Sequence, residues 1–161
     1  MNRRKTILVP TDFRVASLNM LRLALEEVAE PRVNVVLLHC EVLDDSITEL
    51  LFYSPSRIIR DLLTDDFEEA LSILTNRFED RIGQFQIKLF HGHVQSVFDT
   101  LLDTLEIDAI YFSRLYKQHL GKRAFDPTPY IVNGVIPYYE IEWLRQETTF
   151  EKDRLENLFL N

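Results

Sequence analysis

The sequence has little cysteine and no long hydrophobic run. Its single cysteine, Cys40, has no partner for an internal disulfide and lies inside an apolar stretch, which is typical of a buried thiol in a reducing compartment. The apolar stretch after the basic N-terminus MNRRK is only ILVP, which is too short for a secretory signal. No run approaches the length of a membrane span. We therefore expect a cytoplasmic protein.

Positive charge is also scarce. The chain has 18 Lys and Arg residues against 26 Asp and Glu residues, and its formal net charge is -8. Attraction to nucleic acid or to an anionic membrane depends on clustered Lys and Arg, so we expect neither as a partner. A chain of 161 residues is one domain by length, and it can bury a core without disulfides or metal.

Apolar strands alternate with amphipathic helices along the chain. TILVP and VNVVLLHCEV are continuous apolar runs typical of strands buried on both faces, FQIKLF alternates, and DAIYF is a fourth strand. Helical spacing of apolar residues fills the gaps, and Asp65 with Glu68 resembles a capping box. This order predicts an α/β, doubly wound fold, in which a parallel sheet carries helices on both faces.

The segment at residues 50–63, LLFYSPSRIIRDLL, is less regular because Pro55 interrupts it. Three interpretations stay open. The segment covers the core, closes the crevice at the strand tips, or presents Phe52, Tyr53, Ile58 and Ile59 to a protein partner.

The C-terminal part predicts a final strand and a helical tail. VIPYYEIEW at residues 135–143 has a strand composition, and an edge strand of this kind favours a homodimer through Tyr138, Tyr139 and Ile141. Residues 146–161 read as a C-terminal helical extension. We therefore expect one domain over residues 1–145, followed by this extension.

The opening of the chain resembles that of universal stress protein domains. KTILVPTDF, the helix with SLNMLRLAL and the strand VNVVLLHCEVL carry the likeness, which continues through Gly92 and Asp108 and covers roughly residues 4–141. The resemblance implies a five-stranded parallel sheet of the universal stress protein, or adenine nucleotide alpha hydrolase-like, type that often dimerises through its last strand. In the members of the family that bind ATP, the positions of Pro10, Asp12 and Cys40 hold the adenine end.

The phosphate loop of those ATP-binding members, G-x2-G-x9-G-[ST], is broken here. Its three glycine positions fall on Ser113, Tyr116 and Asp126, and its hydroxyl position falls on Pro127. Tyr116 takes up space that a nucleotide needs, Asp126 opposes a phosphate, and Pro127 has no N–H to donate. We therefore expect no ATP cofactor bound in the family's manner.

Two local signals leave alternatives open. Asp12 either contacts a ligand or caps the following helix. If Asp12 forms an ion pair with Arg14, its carboxylate is less available to a ligand. His91 and His93 flank Gly92, where a plain turn is favoured over two zinc ligands because no third ligand completes the site.

Catalytic motifs are absent from the sequence, so we predict a protein that is not an enzyme. The function predicted first is a stress-response module that acts through dimer or partner contacts. The alternative is a protein that binds an adenine nucleotide or another small ligand through Pro10, Asp12, Cys40 and Ser113. Lys122 and Arg123 would then contact the ligand's anionic end.

Overall fold

A computed structural model describes residues 3–42, 51 and 54–142. The strands are β1 (Thr6–Pro10), β2 (Val33–Glu41), β3 (Ile82–His91), β4 (Ala109–Phe112) and β5 (Tyr138–Glu140). The helices are α1 (Leu18–Glu27), α2 (Pro55–Leu62), α3 (Asp65–Arg77), α4 (Gln95–Thr104) and α5 (Thr128–Val132). A short 3-10 turn, Val15–Ser17, leads into α1.

The five strands form one parallel sheet in the order β3-β2-β1-β4-β5. Ile7 in the central strand pairs with Val35 of β2 and with Ala109 of β4. Every residue of β1 is buried, as is nearly all of β2, because helices cover both faces of the sheet. The predicted five-stranded parallel sheet is therefore confirmed, and so is the prediction of buried strands from continuous apolar runs.

The core is divided between the two faces of the sheet. On one face, α1 and α3 pack against the odd-numbered side chains of β1 and β2. On the other, Phe98 and Leu102 of α4 and Ile131 of α5 pack against Leu8 and Leu38. These two layers confirm the doubly wound arrangement, which places the carboxyl ends of β1, β2 and β4 along one edge of the sheet.

Capping residues fix the starts of α2 and α3. Thr64, rather than the predicted Asp65, caps α3, because its hydroxyl accepts a hydrogen bond of 3.1 Å from the Phe67 amide. Pro55, which interrupts the apolar stretch, begins α2 after Ser54, whose side chain accepts from the Arg57 amide. A proline suits this first position because its missing N–H would have no partner there.

Residues 54–63 cover the core in the described part of the segment. Ile59, Leu62 and Leu63 are half-buried and pack against the α1–α3 side of the sheet, and Ile58 is half-buried too. Core cover, one of the three interpretations, therefore describes this part. Phe52 and Tyr53 lie outside the described residues.

The final strand is shorter than the composition of residues 135–143 suggests. Only Tyr138–Glu140 pair with β4, and their side chains are exposed. Ile141, predicted at the dimer edge, is only 5% exposed and belongs to the core beside α1, while its amide donates to the Phe112 carbonyl. The boundary at residue 145 and the predicted helical extension lie outside the described residues. None of the helices in the described part of the chain is long and apolar enough to cross a bilayer.

Candidate functional site at the strand tips

The tip of β1 turns sharply into α1 and exposes no carboxylate to solvent. Oδ1 of Asp12 accepts a hydrogen bond of 3.0 Å from the backbone amide of Arg14, and Thr11 Oγ1 accepts one of 3.1 Å from the Phe13 amide. Phe13 has a φ of 62°, a conformation that residues other than glycine rarely adopt. Asp12 therefore stabilises the turn that precedes α1, and it does so through the Arg14 amide.

The loop between β4 and α5 supplies the remaining partners of Asp12. We call residues 113–125 the strap. The Tyr116 hydroxyl donates to Oδ2 of Asp12 at 2.7 Å, and the His119 backbone amide donates to the same oxygen at 2.8 Å. Asp12 is only 8% exposed. Its two oxygens thus accept three hydrogen bonds from the chain itself.

Burial raises the pKa of the Tyr116 hydroxyl well above its ordinary value, and the hydrogen bond to Asp12 and its negative charge raise it further. The phenol therefore stays protonated at any physiological pH and acts as a donor to the carboxylate. A neutral donor of this kind satisfies a buried carboxylate without adding a second charge.

The far end of the strap is held by β2. The Val42 amide donates to the Arg123 carbonyl at 2.8 Å, and the Phe125 amide donates to the Cys40 carbonyl at 3.1 Å. Glu41 and Ala124 form an antiparallel bridge between these two bonds. The strap consequently runs from the end of β4, over the tip of β1, to the end of β2.

A small cavity of about 150 Å³ lies beside the strap. Its lining includes Pro10, Ser113, Tyr116, Gln118 and Asp126. Ligand pockets are usually about 300–1,000 Å³, so this space holds a fragment of a nucleotide at most. Oδ1 of Asp126 accepts from the amide and the hydroxyl of Thr128, at 2.9 and 2.7 Å. A carboxylate therefore lies at the cavity lining.

The six ligand-contact residues predicted from the sequence do not form one site. Pro10 and Ser113 line the cavity, whereas Asp12 is bonded to the strap. Cys40 points into the core on the α4–α5 side, and Lys122 and Arg123 are exposed on the strap. Burial raises the pKa of the Cys40 thiol far above its ordinary value, and Asp126 adds to the effect. The structure thus brings Pro10 and Ser113 together and leaves the Cys40 thiol away from the cavity lining.

Two histidines share Glu41 at the ends of β2 and β3. His39 Nδ1 lies 3.1 Å from the Thr11 carbonyl oxygen and its Nε2 lies 3.3 Å from Glu41 Oε1. His91 Nε2 lies 3.6 Å from Glu41 Oε2, and burial lowers the pKa of His91 although Glu41 opposes that shift. His93 is exposed. In the described ranges, no group of three or more His, Cys, Asp or Glu side chains is arranged to hold a metal ion.

Sequence comparison identifies no relative: no protein-family model matches this chain, and no curated protein is similar enough in sequence to match. Solved structures do match. The hypothetical protein PH0823 has a TM-score of 0.52 at 15% identity, over 87% of this chain and 96% of that one.

Two further structures match equally well. A universal stress protein family member from Burkholderia pseudomallei has a TM-score of 0.51 at 15% identity, over 85% of this chain and 95% of its own. The hypothetical protein MJ0577 has a TM-score of 0.51 at 16% identity, over 88% and 97%. The chain therefore has the universal stress protein fold, and the resemblance noted from the sequence is confirmed at the level of the fold.

Sequence reasoning identified Tyr116 as an obstacle to a nucleotide but missed what its hydroxyl binds. It also missed the His119 amide as a partner of Asp12, and it missed α5. The Tyr116–Asp12 contact joins residues 104 positions apart, and no local pattern encodes such a pairing. One signal was available for α5, namely Pro127 and Pro129 at its start.

Proposed function

We propose that this protein is a non-enzymatic, cytoplasmic module of the stress response that does not bind ATP in the manner of the universal stress proteins. It acts instead through contacts with a second copy or with another protein. The observation that carries the proposal is the occupation of both Asp12 oxygens by the chain's own donors. The assignment to stress biology rests on the fold alone.

A ligand at Asp12 would have to compete with the strap. It would need to replace the Tyr116 hydroxyl and the His119 amide as donors, because a buried carboxylate that loses its partners costs about 1–3 kcal/mol or more. It would also need to displace the bonds that hold the strap to β2. A nucleotide would then bring its phosphates toward Asp126, where like charges repel.

Asp12 and Cys40, both predicted ligand contacts, are poorly placed to act as base or nucleophile, which supports a role without catalysis. Asp12, the candidate base, has its lone pairs directed at three donors, and the Cys40 thiol is buried with its pKa raised. A nucleophile or base needs access to the reacting atom and a pKa near the working pH. Both oxygens of Asp12 are bonded and the Cys40 thiol is buried, so neither residue has access to a reacting atom.

The exposed edge of β5 supports contact with a second copy. Tyr138 and Tyr139 are exposed in the chain, and the Tyr139 ring stacks on Tyr111 at a centroid distance of 5.1 Å. An edge strand with exposed aromatic side chains favours pairing with another strand. Ile141 is buried in its own domain and would contribute to the dimer only by supporting this edge.

A second candidate function is favoured by the cavity. A ligand much smaller than ATP would fit between Pro10 and Ser113, with Tyr116 and Asp126 as polar neighbours. This candidate keeps the predicted small-ligand function but uses only some of the predicted contact residues. It makes no use of the Cys40 thiol, and it involves Lys122 or Arg123 only if the strap moves.

Calorimetric titration with ATP, ADP and AMP, with and without magnesium, separates these functions. We expect no heat of binding from the purified protein, and none from Tyr116→Ala, because the phosphate cradle is missing even when the ring is removed. Micromolar ATP binding by the wild-type protein would overturn the proposal. In a parallel titration, binding of adenine alone that weakens in Ser113→Ala would instead favour the small-ligand candidate, because Ser113 lines the cavity.

A further inference from the structure

The strap has an anchored side and an exposed side. Tyr116 and the His119 amide hold it to Asp12, and its last residues hydrogen-bond to β2. Four of its other side chains are exposed to solvent: Leu115 is 53% exposed, Leu120 is 41% exposed, and Lys117 and Lys122 are exposed as well. A loop fixed at both ends thus presents two large apolar side chains together with lysines.

The charge of the strap is opposite to that of the rest of the chain. Arg114, Lys117, Lys122 and Arg123 give it four positive charges and no negative one. The whole chain has a formal net charge of -8, so the residues outside the strap carry -12. Arg114 is paired with Glu140. The strap is therefore a basic segment with exposed apolar side chains in a chain that is otherwise strongly acidic.

We propose that the exposed side of the strap is a docking surface for an acidic, apolar-containing segment of another protein. Carboxylates of that segment would pair with Lys117 and Lys122, and its apolar side chains would cover Leu115 and Leu120. Val42, 45% exposed and bonded through its amide to the strap, extends the apolar part. The inference rests on the proposed function, since it names the kind of partner through which the module acts.

Charge decides among the anionic partners. A nucleic acid or an anionic membrane presents negative charge over a wide surface. Either would be repelled by the net charge of -12 on the residues outside the strap. A short acidic peptide segment confines its charge to the strap. A free phosphate compound would gain nothing from the exposed leucines. An acidic protein segment is therefore the partner that fits both features of the surface.

The anchoring of the strap favours binding on energetic grounds. Four hydrogen bonds already hold the strap: the Tyr116 hydroxyl and the His119 amide donate to Asp12, and two backbone bonds link it to Cys40 and Val42 at the end of β2. A partner therefore does not have to order the backbone of the loop on docking, which lowers the entropy that binding costs. Tyr116, which covers the tip of β1, thus also holds the strap in the position in which its exposed side can bind a partner.

Selection of 12-residue peptides from a random displayed library, with the full-length protein as bait, tests the proposal. We expect the selected peptides to be enriched in Asp and Glu and to carry large apolar residues. The best selected peptide, synthesised and fluorescently labelled, should lose roughly tenfold in affinity against Lys117→Glu/Lys122→Glu, and its binding should weaken with added salt. The matched control is Arg57→Glu/Arg60→Glu, which reverses two exposed arginines on α2 and should bind as the wild type does.

The outcomes separate this proposal from the one before it. Peptides without acidic enrichment, or equal loss of affinity in the strap and α2 variants, would overturn the docking surface while leaving the non-binding of ATP intact. Tighter binding of a single-stranded oligonucleotide or of phosphatidylserine vesicles than of the peptide would also overturn it. Self-association that the strap variant abolishes would assign the surface to a second copy instead. The variant Leu115→Ser/Leu120→Ser must also bind the peptide more weakly than the wild type does. Unchanged affinity would contradict the proposal that these leucines contact the partner.

Discussion

The Tyr116 hydroxyl lies 2.7 Å from Oδ2 of Asp12, across 104 residues of sequence. This bond joins the loop after β4 to the tip of β1, at the point where the strand order reverses, with β2 and β3 on one side of β1 and β4 and β5 on the other. Such a switch point is where open α/β sheets usually bind ligands. Here it is filled by the protein's own side chain.

A double-mutant cycle measures the strength of that bond. Tyr116→Phe removes the hydroxyl and keeps the ring, and we expect the free energy of unfolding to fall by about 1–3 kcal/mol because Oδ2 loses a donor in a buried place. Asp12→Ala should cost at least as much, since three donors lose their acceptor. The double variant should be less destabilised than the sum, with a coupling of about 0.5–3 kcal/mol measured by urea unfolding.

Tyr138→Phe is the matched control for this cycle, because Tyr138 is exposed at the sheet edge. Its free energy of unfolding should stay within about 0.5 kcal/mol of the wild-type value. Strict additivity of Tyr116→Phe and Asp12→Ala would mean that the hydroxyl does not interact with the carboxylate in solution.

Cys40 should resist thiol reagents in the folded protein. Its side chain is 2% exposed, and burial with the nearby Asp126 raises the thiol pKa, so very little thiolate forms. We expect modification by a disulfide reagent at neutral pH to proceed only as fast as the protein unfolds. Ser56→Cys, which adds a thiol at an exposed position of α2, supplies the reference rate for a reactive cysteine. Rapid labelling of Cys40 in native conditions would contradict the buried placement.

The stability of the fold should depend on pH through His91. Burial lowers its pKa from the ordinary value of 6.5, against the opposing effect of Glu41, and the neighbouring His39 lowers it further. Between pH 6.5 and the lowered value, the unfolded state binds more protons than the folded state. The free energy of unfolding should therefore be highest above this range and should fall as the pH decreases through it.

Urea unfolding at about pH 7.5 and at about pH 5.5 checks this dependence, since the window lies below the unfolded pKa. His91→Gln should lose less stability between the two conditions than the wild type does. His93→Gln is the control, because His93 is exposed and should leave the dependence unchanged. Identical pH dependence in wild type and His91→Gln would show that other groups account for it.

Most of the fold could be predicted from the sequence because its signals are local. Continuous apolar runs indicated β1 and β2, and helical spacing indicated α1, α3 and α4. Capping was predicted one residue late, at Asp65 instead of Thr64, since several neighbouring residues can accept from the first amides. The length of β5 depends on pairing with β4, a non-local contact, and the sequence overstated it.

The candidate site was predicted only in part, for a physical reason. The resemblance to universal stress proteins implied that Ser113, Tyr116 and Asp126 take the glycine positions of a phosphate loop, and the predicted loss of nucleotide binding rests on the size and charge of these residues. Which acceptor the Tyr116 hydroxyl binds depends on the backbone path of the strap. That path is fixed by the backbone bonds of Val42 and Phe125, which no side-chain pattern encodes.

The strap also has a consequence for folding and local opening. Its contacts with Asp12 and with β2 close long loops of the chain, so they form after the sheet has brought the strand tips together. We expect these contacts to break more often than the sheet unfolds, because they lie at the strand tips and not within the strand pairings. The His119 amide, whose acceptor is Asp12, should therefore exchange its hydrogen with water sooner than the amides of the central strand, and its exchange rate reports directly how often the crevice is uncovered.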